Sequence, residues 1–268
     1  MDSGRAALGL DYANAEREIL KFIRKVVRDA GAKGVVLGLS GGIDSAVVGA
    51  LCMKALGKDK VTVLIMPSDF TPADDIADAA SMAAKWGVRV YRADISQIAE
   101  RFLSAFPLEG NRIARANLQA RVRMVLSYYV ANTLGLLVAG TGDKSEVLLG
   151  YYTKAGDGAV DFLPIAHLYK TQVRKLGARL GIPERVVEKP ASPQLWPRHR
   201  AAEELPADYD RLDPLLYYMF DAKMPLSAAA KKAGVGRGVA EAAVGMHKST
   251  AHKRAHPPMV RPWSAVSR

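Results

Sequence analysis

Short apolar runs alternate with longer helical patterns over the first half of the chain, and this alternation sets the expected fold. Asp11 to Ala30 carries Ile19, Leu20, Ile23, Val26 and Val27 on one stripe, the spacing of an amphipathic helix. Val35 to Leu39 is an unbroken apolar run, which reads as a strand buried on both faces. A helix follows from Ile43 to Leu56 and stops at Gly57. Val61 to Met66 predicts a second strand, closed by Pro67. Thr71-Pro72-Ala73-Asp74-Asp75 predicts a helix start with Thr71 as its cap, and that helix runs to Trp86. Strands are expected at Val88 to Asp94 and Leu136 to Gly140, and helices at Ile95 to Phe106 and Asn111 to Thr133. The regular β–α alternation predicts an α/β fold, a Rossmann-like doubly wound parallel sheet flanked by helices.

The pattern changes after residue 141. Helices are expected at Leu168 to Leu180, Asp208 to Phe220, Ser227 to Ala233 and Gly238 to Lys248, giving an α-helical C-terminal part. A proline-rich stretch from Pro190 is long enough to serve as a lid. The tail from Ser249 is basic, carries prolines and reads as extended. The chain is read as one domain over 1–268, with an α/β core at 30–190, a lid loop at 190–206 and the helical part with its tail at 207–268.

Candidate chemistry sits where strands end. The first strand runs into Ser40-Gly41-Gly42-Ile43-Asp44-Ser45 and then into a helix. Strand, glycine turn and helix N-terminus together form an anion cradle, and glycines let backbone approach phosphate oxygens closely. Asp44 would repel phosphate unless a Mg²⁺ sits between them. No lysine follows the glycines, so the loop is not of the Walker-A kind. The fourth strand ends in Thr141-Gly142-Asp143-Lys144-Ser145-Glu146, on the same sheet edge. Asp44 and Glu146 are thus paired as candidate metal ligands.

Composition narrows the class. The net charge of +11 suits phosphate-bearing substrates, and no basic cluster interleaved with aromatics argues for nucleic acid. Cys52 is the one cysteine, which excludes an internal disulfide and fits a reducing, cytoplasmic setting. No window is long and apolar enough to suggest a membrane span or a signal segment.

Ser-Gly-Gly-Ile-Asp-Ser resembles the PP-loop of N-type ATP pyrophosphatases. Further segments, in order, resemble the archaeal-type, ammonia-dependent NAD synthetases of that superfamily: Gly140-Thr141 to Glu146, Gly150 to Lys154, Gly156-Asp157-Gly158 to Asp161, Leu168 to Thr171, Leu195-Trp196-Pro197, and His252-Lys253-Arg254 before Pro257-Pro258. The likeness spans residues 15 to 260. It implies amidation of deamido-NAD by ammonia through an adenylylated intermediate, with ATP as co-substrate, Mg²⁺ as cofactor and a homodimer for which the 111–133 helix is the expected contact.

The resemblance also implies site roles. Gly38, Leu39, Ser40, Gly41, Gly42, Ile43, Asp44, Ser45, Met66, Thr141, Lys170 and Ser192 would meet ATP. Arg121, Lys154, Asp157, Asp161, His252 and Lys253 would meet deamido-NAD. Asp44, Lys170 and Asp157 are the expected catalytic residues, with ammonia handled by Asp157 or Asp161. Arg121 and Arg123 lie two apart on a helix and face different ways, and Arg121 is the one chosen. One departure stands out. After Trp196-Pro197 the family continues Gly-Gln-Thr-Asp-Glu, whereas this chain reads Arg198-His199-Arg200-Ala201-Ala202. Two other readings keep the PP-loop: a tRNA-modifying ligase, or a non-catalytic ATP-binding protein.

Overall fold

The computed structural model describes residues 8–260. Helix α1 (Tyr12–Asp29) precedes β1 (Gly34–Gly38), α2 (Ile43–Leu56), β2 (Val61–Ile65), α3 (Ala73–Trp86), β3 (Arg89–Arg92), α4 (Ser96–Ala105), α5 (Arg112–Leu134) and β4 (Leu136–Val138). The four strands form one parallel sheet in the order β3-β2-β1-β4. The chain runs outward from β1 to β3 and then crosses to β4 on the other side of β1. The strand order therefore reverses between β1 and β4, and such switch points are where parallel α/β sheets take ligands.

Alternate residues of β1 feed opposite faces. Val35 and Leu37 join α1, α2 and α3 in the main core, through Ile23, Val47, Leu51 and Met82 among others. Val36 turns the other way and packs with Leu64, Val138 and Ala131 of α5. Helices therefore cover both sides, as the doubly wound reading requires. Cys52 lies wholly inside the main core, and burial pushes its thiol up to about 12.

The second half is helical: α6 (Lys144–Leu149), α7 (Lys170–Arg179), α8 (Glu184–Val187), α9 (Tyr209–Leu216), α10 (Leu226–Ala233) and α11 (Arg237–Ser249). Leu212, Leu215, Leu216, Tyr209, Ala229 and Ala240 build a separate apolar cluster that reaches Leu149 of α6 and Tyr169 before α7. A π-helical turn at Tyr217–Asp221 follows α9.

Three local expectations need correction. Thr71 is not the cap of α3: its hydroxyl accepts from Ser68 N at 2.9 Å, and Pro72 occupies the cap position. Glu146 does not lie on a loop. Asp143 caps α6 by accepting from Glu146 N at 2.8 Å, and Glu146 returns the bond to Asp143 N at 3.2 Å. The basic tail is not extended at its start. Ala251–Lys253 is a 3₁₀ turn strapped across the end of α6, where Thr250 Oγ1 donates to Leu149 O and Arg254 Nη1 to Val147 O.

Candidate active site

A cavity of about 880 Å³ opens at the C-terminal edge of the sheet, over the switch point. Its floor is Gly38 to Ser40 after β1, Met66 and Pro67 after β2, and Ala139 to Thr141 after β4. The α2 N-terminus forms one side. No side chain caps it, and Gly42, Ile43 and Asp44 line the cavity there. Uncapped N–H groups at the positive end of a 14-residue helix suit an anion. The two serines shape this turn from within. Ser40 and Ser45 hydroxyls lie 3.1 Å apart, Ser45 Oγ receives Ser40 N, and Gly42 N donates to Ser40 Oγ.

The strongest electrostatic feature lies beside that helix end. Lys170, the first residue of α7, is 1% exposed and places its Nζ 2.7 Å from Asp44 Oδ2, 2.9 Å from Asp143 Oδ2 and 2.8 Å from Glu146 Oε1. Burial alone would push this ammonium down; Asp143, Asp44 and Glu146 more than reverse that and hold it well above its usual value. One cation cannot satisfy three acids. Burial carries the Glu146 carboxyl up to about 8 despite Lys170, and it raises Asp143 as well. Asp44 Oδ1 is buried with no hydrogen-bond partner. The cluster is therefore short of positive charge next to a helix end that favours anions.

Those facts test whether the residues fit a magnesium ion. Mg²⁺ takes one or two carboxylates and completes its shell with phosphate oxygens and water. Asp44 offers an unpaired buried oxygen, Glu146 a second carboxylate at the cavity wall, and both are oxygen donors of the right class. Among the described residues no group of three or more His, Cys, Asp or Glu side chains could hold a metal by itself. The donor set thus fits an ion that arrives with phosphates.

Lys170 is set by its neighbours as well as by charge. Ser145 Oγ accepts from Lys170 N at 3.1 Å and donates to Asp213 Oδ1 at 2.6 Å, while Asp213 Oδ2 accepts from Thr171 N at 2.7 Å. Asp213 belongs to α9, is fully buried, and burial raises its carboxyl to about 7. The helical part therefore fixes the start of α7 and, through it, the ammonium.

The far end of the cavity has different chemistry. Asp157 faces it and receives Thr153 N at 2.8 Å; the surrounding protein pushes its carboxyl up. Lys253 donates to the carbonyls of Gly150 at 2.7 Å and Tyr152 at 2.5 Å. Arg123 lines the wall, donates to Met66 O at 3.1 Å, and burial lowers it to about 10 while Asp157 opposes the shift.

The lid closes over both ends. Lys189 Nζ reaches Asp75 at 2.5 Å, Asp78 at 2.9 Å and the Gly41 carbonyl at 3.1 Å, and Gln194 Nε2 donates to Asp75. Trp196 stacks on His199 with ring centres 3.3 Å apart, and Arg112 lies 4.5 Å over the Trp196 ring. His199 Nε2 meets Glu204 Oε2 at 2.8 Å, and Glu204 also accepts from the Tyr151 hydroxyl.

Of the residues expected from sequence, Gly38, Leu39, Ser40, Gly42, Ile43, Asp44, Ser45, Met66, Glu146, Thr141, Asp157, Lys170, Ser192 and Lys253 share the wall of this cavity. Gly41 contributes its carbonyl to Lys189 behind it. Ser192 turns its hydroxyl onto His199 O of the lid's own backbone. Four others lie outside the lining. Arg121 donates to Lys154 O at 3.3 Å, Lys154 and His252 are exposed, and Asp161 accepts from Val138 N and the Tyr128 hydroxyl at the edge of β4. On α5 it is Ala116, Ala120, Arg123 and Ser127 that share the inward face, at three- and four-residue spacing. That stripe would have favoured Arg123 over Arg121. Asp143 was legible too, because Asp143 to Glu146 has the spacing of a capping box.

The profile of the NAD synthase family matches residues 15–257. The chain belongs to the NAD synthase family. An NH(3)-dependent NAD(+) synthetase of Hyperthermus butylicus is 48% identical over 262 residues, covering 97% of this chain and 95% of that protein. Its counterpart in Staphylothermus marinus is 44% identical over 260 residues, 96% of this chain and 94% of its own length. Among solved structures, an NH3-dependent NAD synthetase from Campylobacter jejuni, bound to nitrate, superposes with a TM-score of 0.81 at 28% identity, covering 94% of this chain and all of that one. An NMN synthetase from Francisella tularensis superposes with a TM-score of 0.84 at 30% identity, covering 94% and 99%. The parallel sheet and its flanking helices are therefore the NAD synthase fold.

Proposed function

We propose that this NAD synthase-family chain amidates deamido-NAD with ammonia at the expense of ATP, giving NAD, AMP and pyrophosphate. The observation that carries the reading is the buried Lys170 with its three carboxylates beside the uncapped α2 N-terminus, in the wall of a cavity of about 880 Å³. The relatives named NH(3)-dependent NAD(+) synthetase support it, and neither the tRNA-ligase reading nor the non-catalytic one draws support from those comparisons.

In this reading the triphosphate lies against the PP-loop, Thr141 and Lys170, and the adenine reaches Met66. The nicotinate carboxylate attacks the α-phosphorus; a C–O–P link forms and the bond to pyrophosphate breaks. Ammonia then attacks the acyl carbon, the C–N bond forms, and AMP leaves with the electron pair of the C–O bond. Backbone N–H groups of α2 and the Lys170 ammonium stabilise charge growing on phosphate oxygens. Asp44 and Glu146 would hold a Mg²⁺, which would supply the further positive charge that the cluster lacks. Asp157, whose carboxyl is raised by its surroundings, takes the proton that the incoming nitrogen must lose. Asn117 and Lys253 line the end assigned to deamido-NAD, and Arg123, bonded to Met66 O, lies between that end and the adenine.

The test is purified protein with ATP, Mg²⁺, ammonium and either deamido-NAD or nicotinate mononucleotide, scored for amide product and AMP. Failure to make NAD, or a higher kcat/KM on the mononucleotide, overturns the assignment. Asp44→Ala and Glu146→Ala should each lose about 10²-fold or more in kcat if they hold the ion that stabilises the transition state. Near-normal rates would remove them from the site.

The homodimer is proposed for a surface of α4, α5 and the edge strand β3. Phe102, Phe106, Leu108, Val125 and Tyr129 are all more than half exposed there. Large apolar side chains exposed on neighbouring elements suit an interface. Light scattering at micromolar concentration should give twice the 28.9 kDa chain mass; the single mass would refute it. We assign the chain to the cytoplasm, where a reduced, buried Cys52 is at home. No described helix is long and apolar enough to cross a membrane.

A further inference from the structure

The lid brings two exposed arginines to the rim of the cavity that the reading above does not use. Arg198 and Arg200 both line it. The other lining cations are already engaged. Lys170 is held by three carboxylates, Lys189 by two carboxylates and a carbonyl, Arg123 by the Met66 carbonyl, and Lys253 by two carbonyls. The Arg198 and Arg200 side chains make no hydrogen bond or ion pair among the described residues, and Arg200 is held through its carbonyl, which accepts from Glu203 N at 3.1 Å.

The backbone holds both in place. His199, between them, is 3% exposed, stacked on Trp196 and bonded to Glu204. Ala201 N donates to Ala191 O at 3.0 Å and closes the base of the loop. Arg198 itself sits at φ +59°, in the left-handed region that disfavours side chains. The family pattern has glycine at this position and threonine at that of Arg200. This chain therefore keeps an arginine where the backbone favours glycine, and it does so on the cavity wall. Strain retained at such a place points to function.

We propose that Arg198 and Arg200 form a cationic clamp on the polyphosphate chain of ATP and on the pyrophosphate that leaves it. The lid is tied to the PP-loop end through Lys189 to Gly41 O and Gln194 to Asp75, so its guanidinium groups belong with the triphosphate. As the α-phosphorus accepts the carboxylate oxygen, the departing bridging oxygen keeps the electron pair and gains charge. Guanidinium forks meet phosphate oxygens bidentately and stay charged at any working pH. The clamp rests on the ATP-dependent reading of this site, yet polyphosphate binding can be measured without turnover.

The experiment is calorimetric titration of the full chain with inorganic tripolyphosphate and, separately, with deamido-NAD. Arg198→Ala/Arg200→Ala should bind tripolyphosphate about tenfold more weakly or worse, the loss expected for charge-assisted bonds. Arg198→Lys/Arg200→Lys should restore much of that affinity, which also shows that the lid still forms. Deamido-NAD affinity should hold within about twofold, and in turnover the ATP KM should rise and kcat should fall, because the clamp meets charge that grows as pyrophosphate leaves. Unchanged tripolyphosphate binding in the alanine variant overturns the clamp. So does a loss that falls on deamido-NAD instead. If the wild type binds tripolyphosphate through these arginines but makes no NAD, the clamp stands and the proposed reaction falls.

Discussion

Lys170→Ala is expected to cost about 10²–10³-fold in kcat, the scale for losing one preorganised charge at a reacting phosphate, and about 3–5 kcal/mol of stability, the scale for breaking a buried ion cluster. Both losses have one origin. In the wild type a single ammonium lies within 2.9 Å of Asp44, Asp143 and Glu146. Without it three carboxylates face one another at the rim of the core, and protons must replace the lost cation. The sign with pH follows. Glu146 is already raised to about 8 in the folded chain, above its ordinary 4.5, so folding takes up a proton between those values. Stability from this group is fully present below about 4.5 and is lost as pH rises through the folded value. Removing Lys170 raises that folded value further. The stability deficit of Lys170→Ala should therefore be level up to about pH 7 and widen from there to about pH 9, as the wild-type group ionises and the variant's does not, read as the gap in thermal midpoint from the wild type. A gap that is flat with pH, or a kcat within a few-fold of normal, would show that the ammonium is not what offsets these acids.

The same cluster marks how far sequence reading reaches. Strand ends were legible because parallel strands are short, apolar and closed by small polar residues, so β1 and β4 delivered Asp44 and Glu146 to one edge. Lys170 was reached only through resemblance, since nothing local separates it from other lysines at the start of a helix. What the pattern hid was long-range pairing. Asp213 sits in α9, far along the chain, yet it fixes the start of α7 through Ser145 and Thr171. The lid's struts, Gln194 to Asp75 and Trp196 on His199, likewise join segments whose closeness no periodicity encodes. On α5 the information was present in the stripe Ala116, Ala120, Arg123 and Ser127, and it points to Arg123 rather than Arg121 for the cavity wall.

Function here depends on two layers that meet at one seam. The sheet supplies an uncapped helix end and two acids, while the helical C-terminal part supplies the anchor for the lysine between them. Asp213 and Tyr209 both come from α9, and the Tyr209 ring lies 5.3 Å from Lys170 Nζ. The apolar cluster around Leu212 and Leu216 therefore does more than fill space, because it sets where the positive charge stands relative to the PP-loop.

Gly41→Ala is expected to abolish most activity, by about 10²-fold or more from misplaced backbone donors, while Gly31→Ala leaves it unchanged. Both glycines have positive φ, +80° and +62°, so both substitutions carry the cost of placing a side chain in the left-handed region, about 1–2 kcal/mol. Their surroundings differ. A Cβ at Gly31 meets nothing within 4 Å, whereas one at Gly41 would lie 2.2 Å from the Asp75 carbonyl oxygen and 2.8 Å from its carbon. Backbone cannot yield as a side-chain tip does, so either the PP-loop or the start of α3 must move. Movement of the loop displaces the N–H groups that cradle phosphate. Movement of α3 carries Asp75 away from Lys189 and Gln194 and loosens the lid. Either route harms ATP use, and the two are separable. A shifted PP-loop raises the ATP KM and lowers kcat together, while a loosened lid also exposes the 190–206 segment to protease. The comparison with Gly31→Ala removes the dihedral cost common to both. If Gly41→Ala retained activity equal to Gly31→Ala, close approach of this loop to α3 would have no part in catalysis.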